Sequence, residues 1–143
     1  MFSMSSRAAT ACALCVSLWG LAAQAADLGV TVSGLGSAEG QVMVALFNDA
    51  AGFPQGHPFK GQMVAATKGQ VELVFKDLPP GRYAVSAFHD RNGNQRLDAN
   101  MMGMPTEPYG FSRDAKGQFG PPKFEDAAFQ LDRADQHITV RVQ

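Results

Sequence analysis

Leu78-Pro79-Pro80-Gly81-Arg82-Tyr83-Ala84-Val85-Ser86-Ala87-Phe88-His89-Asp90-Arg91-Asn92-Gly93-Asn94-Gln95-Arg96-Leu97-Asp98 reads as a turn, a strand and then an oxygen-rich loop. Pro79-Pro80-Gly81 sets a tight turn, because proline fixes φ and glycine admits conformations closed to other residues. Arg82 to His89 follows as a central strand. Tyr83 sits just inside it, where its ring can enter a core while its hydroxyl bonds back to the turn backbone, the logic of a tyrosine corner. An ordinary half-buried strand tyrosine would give the same fold.

Working outward, Leu28, Val30 and Val32 alternate with Gly29, Thr31 and Ser33, the period-2 pattern of a half-buried strand. Gln41 to Asn48 is a second strand, with Val42, Val44 and Leu46 on one face. Met43, Ala45 and Phe47 on the other face imply cover on both sides. Asn48 to Lys60 is a Gly- and Pro-rich loop, with Phe53 and Phe59 placed to fold back onto the body. Gln62 to Thr67 and Gln70 to Lys76 flank Lys68-Gly69, which predicts a hairpin. Ala127 to Leu131 is a shorter strand, and Ile138, Val140 and Val142 mark the last. Glu125 to Ala128 has room for one helical turn. Seven short strands between turns predict an all-β, antiparallel, two-sheet immunoglobulin-like sandwich.

The N-terminal segment is expected to be a signal peptide, residues 1–25, ahead of one domain, residues 26–143. Arg7 precedes the apolar run Ala8 to Leu21, and Ala23-Gln24-Ala25 is a small-x-small cleavage pattern. The run is too short and too weakly flanked for a membrane span, so none is expected in the mature chain. Both cysteines, Cys12 and Cys15, lie in that segment, which leaves a thiol-free protein suited to the periplasm or the exterior. The remaining 118 residues carry 11 basic against 13 acidic side chains. With no basic run or stripe, nucleic acid is not an expected partner, and a monomer is expected.

Between Asp90 and Lys123 no extended strand pattern is visible. A structureless excursion of that length is uncommon in a compact domain and is usually functional or disordered. Tyr109, Phe111, Phe119 and Phe124 give it apolar area to bury, each worth roughly 1.5–3 kcal/mol when fully covered. An ordered flap packed on one end or face of the sandwich follows.

The root of that flap carries the candidate chemistry. Counted from Asp90 as position 1, Asn92, Asn94, Arg96 and Asp98 fall at positions 3, 5, 7 and 9, spacings at which a tight loop can direct oxygens at calcium. Arg96 would contribute only its carbonyl. Gln95 stands where the helix-loop-helix pattern has glycine, and Met101 where it has a bidentate glutamate; Glu107 is the candidate to supply the missing carboxylate. The same residues serve equally for Asx-turns that cap the loop's own amides. Met101, Met102 and Met104, with His89 and His57 elsewhere, offer a soft copper set, against the commoner role of loop methionines packed on aromatics. His89 and Asp90 are strand neighbours pointing to opposite faces, not a dyad. Ser86, Ser112 and Thr106 lack a nucleophile elbow, so no enzyme is expected, with an envelope hydrolase as the remaining alternative. Tyr109-Gly110-Phe111-Ser112 and Phe119-Gly120-Pro121-Pro122-Lys123-Phe124 either pin the flap or make a binding lip, with Tyr109 and Phe111 as its contacts, for a small molecule, a glycan or an envelope partner.

The runs His89-Asp90-x-Asn92-x-Asn94-x-x-x-Asp98, Gly103-x-Pro105-x-Glu107-x-Tyr109-Gly110-Phe111-Ser112 and Gly120-x-Pro122-x-Phe124-x-Asp126-Ala127-Ala128-Phe129 resemble a bacterial family of small exported proteins known only as a domain of unknown function. The resemblance covers essentially the whole mature chain and implies export without implying an activity. More distantly, Leu78 to Val85 is similar to transthyretin-like and collagen-adhesin B-type sandwiches, some of which bind calcium in Asp/Asn-rich loops. Transthyretin-like hydrolases are a poorer match, because Val140-Arg141-Val142-Gln143 lacks their Tyr-Arg-Gly-Ser tail.

Overall fold

The structure is a computed structural model and describes residues 24–143. The expected signal segment therefore lies almost wholly outside the described residues, as do Cys12 and Cys15. The strands are β1 (Ala26–Leu35), β2 (Gln41–Phe47), β3 (Lys60–Ala65), β4 (Gly69–Leu78), β5 (Gly81–Asp90), β6 (Tyr109–Phe111), β7 (Phe129–Leu131) and β8 (Gln136–Arg141). A short helix, α1 (Phe124–Ala127), precedes β7. Two sheets form, β4-β1-β8 and β3-β2-β5-β6, with β7 also paired to β5. This is the expected two-layer all-β sandwich, with eight strands in place of seven.

Alternation explains the main core. Leu28, Val30 and Val32 of β1, Val42, Val44 and Leu46 of β2, and Leu73 and Phe75 of β4 all point between the sheets and are buried. Tyr83 and Val85 of β5 join them. The Tyr83 hydroxyl donates to the Pro79 carbonyl at 2.6 Å, which is the corner that the Pro79-Pro80-Gly81 turn implies. Burial pushes the phenol of Tyr83 upward.

Three features depart from the sequence reading. The Lys68-Gly69 hairpin does not form: β3 pairs with β2 and β4 with β1, so the chain crosses there from one sheet to the other. Thr67 Oγ1 donates to the Gln70 carbonyl at 2.7 Å and tightens that corner. Lys60 Nζ and the Gln62 amide reach the Lys76 and Val74 carbonyls at 3.0 and 2.6 Å, joining the sheets along this side by side chains. Secondly, β8 runs parallel to β1, from Leu28 opposite Gln136 to Ser33 opposite Arg141, so the sandwich is not purely antiparallel. Thirdly, the flap contains β6, which pairs Ser86, Ala87 and Phe88 with Phe111, Gly110 and Tyr109.

The flap also closes the second side of the sandwich. Tyr109 exchanges backbone bonds with Gln143, its N–H reaching the Gln143 carbonyl at 3.4 Å and its carbonyl accepting the Gln143 N–H at 3.1 Å. Gly110 permits this approach, because a Cβ there would overlap the Arg141 carbonyl. On the outer face of β5 a second cluster gathers Phe47, Ala84, Phe111, Phe124, Ala127 and Ala128. Phe53 is its hub, with its ring 5.3, 5.6 and 6.0 Å from those of Phe47, Phe111 and Phe124. The flap is thus fastened to the outer face of a sheet.

Candidate functional site

Asp90 ends β5 and is fully buried. Gln41 opposes it across the β2–β5 pair and donates its side-chain amide to Asp90 Oδ2 at 2.8 Å. The chain then turns back on this carboxylate. The Asn94 N–H reaches Oδ1 at 3.2 Å and the Gln95 N–H reaches Oδ2 at 2.8 Å. Gly93 and Gln95 take left-handed backbone, with φ of 71° and 62°, which lets the turn aim its amides inward. Asn92 Oδ1 accepts the Asn94 N–H at 3.2 Å and Asn94 Oδ1 the Arg96 N–H at 2.9 Å, two successive Asx-turns. Burial pushes the Asp90 carboxyl upward. The Gln41 amide and the N–H groups of Gln95, Asn94 and Gly93 more than offset it, and hold the group below the usual carboxylate range.

Asp98 and Glu107 complete the root. The side-chain amides of Asn92 and Asn94 donate to Asp98 at 2.6 and 2.8 Å. Glu107, which is buried, accepts the Arg91 N–H at 3.0 Å and the Asp98 N–H at 3.1 Å, bolting the start of the loop to its end. Five of the six residues expected around an ion, Asp90, Asn92, Asn94, Asp98 and Glu107, are therefore brought together by their side chains. Arg96 enters only through its backbone N–H. Every carboxylate oxygen of Asp90, Asp98 and Glu107 accepts an N–H, and the two asparagine oxygens do likewise. No carboxylate or amide oxygen of these five residues is left without a donor. Among the described residues, no three His, Cys, Asp or Glu side chains group in a way that could hold a metal ion.

Beyond this root, Ala99 and Pro105 form an isolated bridge that pinches off a turn bearing Met101, Met102 and Met104. These side chains are not packed on aromatics: they are 105, 87 and 61% exposed. His89 is buried with its Nε2 2.7 Å from the Glu39 carbonyl, and is committed there. Ser112 Oγ accepts the Val85 N–H at 2.9 Å and donates to the Ala127 carbonyl at 2.6 Å, a structural tie between flap and strand.

The aromatics of the flap divide. Phe111 and Phe124 are buried in the second cluster, Phe119 stands free in solvent, and Tyr109 is partly exposed with its ring edge-on to Phe111 at 5.8 Å. Arg113 and Asp114, after β6, both hold left-handed φ values of 60° and 50°. Non-glycine residues in that region carry strain that surrounding contacts must hold. Arg113 supplies one such contact by donating to the Ala128 carbonyl at 3.1 Å. Beside this turn lies a cleft of about 270 Å³, walled by Tyr109 and Phe111, by Asp114 and Lys116, by Pro121 and Pro122, and by Arg141 and Gln143. Spacing pointed to Tyr109 and Phe111. Asp114, Lys116, Arg141 and Gln143 come from separate segments without a shared motif, and only the closure of β6 against the chain's last residues assembles them.

The fold and the two sites define a small β-sandwich with a latched flap and a cleft beside it. Among the described residues no helix is long and apolar enough to cross a membrane. The chain belongs to the bacterial family described as an uncharacterized protein conserved in bacteria (DUF2141), whose model matches residues 30–139. No curated protein and no solved structure matches it.

Proposed function

We propose that this protein is an exported, non-enzymatic binding module that takes a small polar ligand of the glycan or envelope type in the cleft beside Tyr109. The observation that carries this reading is the make-up of that cleft. An exposed aromatic residue, Tyr109, is gathered there with one acidic, two basic and one amide residue, Asp114, Lys116, Arg141 and Gln143. A sugar ring offers an apolar C–H face for the aromatic and hydroxyls for the polar groups. The volume sits near the roughly 300 Å³ lower bound of ligand pockets, which suits one or two rings and not a long chain. The signal peptide expected at residues 1–25 supports periplasmic or extracellular placement. The engagement of His89 and Ser112 in structural bonds supports a binding role over a hydrolytic one at these two residues. Retention on immobilised glycan or peptidoglycan tests the reading. It should be lost in Tyr109→Ala and Arg141→Gln and kept in Asp98→Ala; equal retention by all three variants, or none by the parent, overturns it.

A second reading places calcium at the Asp/Asn loop. Its support is that Asp90, Asp98 and Glu107 share one hydrogen-bonded root with no ion pair, the ion pair seen among the described residues being Lys76–Asp27. An ion there would have to turn the amides of Asn92 and Asn94 away from Asp98, so affinity should be weak, in the ~10⁻⁴–10⁻³ M range of extracellular modules. A melting temperature identical in excess calcium and in chelator removes this reading.

A further inference from the structure

The methionine turn is used by neither reading. We propose that Met101, Met102 and Met104 form a thioether site for a soft monovalent cation of the Cu(I) or Ag(I) type. The turn itself is built without these side chains. Asn100 holds it: its N–H donates to the Met104 carbonyl at 2.9 Å, and its own carbonyl accepts the Gly103 N–H at 2.9 Å. The Asn100 Oδ1 accepts the N–H groups of both Met102 and Met104, at 2.9 and 3.0 Å. Two amide nitrogens bound to one oxygen lie within about 6 Å of each other, so the main chains of Met102 and Met104 are held close together on one turn. Met101 is the direct neighbour of Met102. Gly103, with φ of 78°, makes the bend possible.

The side chains are free to use that geometry. Methionine has three rotatable bonds and a polarisable sulfur, and all three stand in solvent. Core packing therefore gives no account of three methionines on a five-residue turn. Thioethers select soft ions such as Cu(I) over hard ones such as calcium. No histidine of β5 competes, because His89 is buried and bonded to Glu39. Cys12 and Cys15, the two thiols of the chain, lie in the expected signal segment. The donors are neutral and do not titrate in water, so uptake should be flat across the range where histidine changes charge, about pH 5 to 8.

The test uses the full chain carrying Cys12→Ser and Cys15→Ser, titrated with Ag(I) and with ascorbate-held Cu(I). Calorimetry gives stoichiometry, and methyl resonances of the seven methionines report position. The methyls of Met101, Met102 and Met104 should shift together and saturate at one ion per chain, with those of Met43 and Met63 unmoved. Each single Met→Leu change should weaken uptake about tenfold, and the triple Leu variant should abolish it with no change in melting temperature, since no packing is lost. Excess calcium should not displace Ag(I), which keeps this outcome separate from any ion at Asp90 and Asp98. Unshifted methyls, undiminished uptake by the triple variant, or uptake lost on acidification from pH 8 to pH 5 would each overturn the proposal.

Discussion

Asp90→Asn probes the latch most directly, because it changes charge and acceptor capacity with almost no change in shape. The wild-type carboxylate accepts Gln41 and Gln95 on one oxygen and Asn94 on the other. An amide keeps one oxygen and turns an NH₂ toward the remaining donor, so at least one bond is lost and replaced by an N–H facing an N–H. Hydrogen bonds to a charged acceptor contribute about 1.5–3 kcal/mol each, and neutral ones about 1. Asn94 and Gln95 are exposed enough for water to reach their amides, which places the cost at the low end. We expect a loss of about 2 kcal/mol at neutral pH, or roughly 6–10 °C in melting temperature for a domain of this size. The pH dependence distinguishes the mechanism from simple misfit. The folded-state pKa of Asp90 is lowered, so its carboxylate stabilises the fold above the unfolded value of about 3.9 and loses that contribution as pH falls through the folded value. The gap between wild type and Asp90→Asn in thermal melts followed by circular dichroism should therefore shrink on acidification below about pH 3.9. A gap under about 0.3 kcal/mol at pH 7, or one that widens in acid, would refute the claim that this carboxylate anchors the loop.

The other ties of the flap make shorter predictions. Ser112→Ala leaves the Val85 N–H and the Ala127 carbonyl unpaired in a buried place and should cost about 1–3 kcal/mol by urea denaturation, whereas Ser112→Thr tests only the added methyl. Tyr83→Phe removes the bond to Pro79 while keeping the ring in the core, for a loss near 1 kcal/mol in the same assay. Gly110→Ala pushes β6 off the Arg141 carbonyl and should cost about 1–3 kcal/mol. Hydrogen exchange should show its effect concentrated in Tyr109 and Gln143, with β2 amides unchanged. Phe119→Ser should move stability by less than about 0.5 kcal/mol, since that ring is free in solvent.

What alternation can reveal, it revealed: β1, β2, β4, β5 and β8 each bury every second residue in one core, and their patterns are long enough to be read. β6 is three residues with glycine at its centre. Nothing in its side chains sets it apart from a loop, because it exists through backbone bonds to Phe88 on one side and Gln143 on the other. Lys68-Gly69 misleads for a related reason. Its turn chemistry fixes a sharp reversal in φ and ψ but not which sheet the next strand joins, and here the Val71, Leu73 and Phe75 face finds β1. The direction of β8 against β1 is equally invisible, since its alternation is the same parallel or antiparallel.

The loop after β5 shows a different limit. Its residue types and spacing disclosed that Asp90, Asn92, Asn94 and Asp98 converge, and Glu107 joined them across sixteen residues. The spacing left open what they converge on, because an Asx-turn and a metal ligand ask for the same short oxygen-bearing side chain at alternate positions. Calcium would draw the oxygens to one centre, whereas the hydrogen bonds present spread them over separate N–H donors, with Asn92 and Asn94 presenting nitrogen to Asp98; a calcium titration separates the two. That hydrogen-bonded arrangement shares the root among a strand end, a loop and Glu107. Cutting any one of these bonds should loosen the flap in part, and only the loss of Asp90, where the bonds from β2 and from the loop meet, should release the whole of residues 91–108 together.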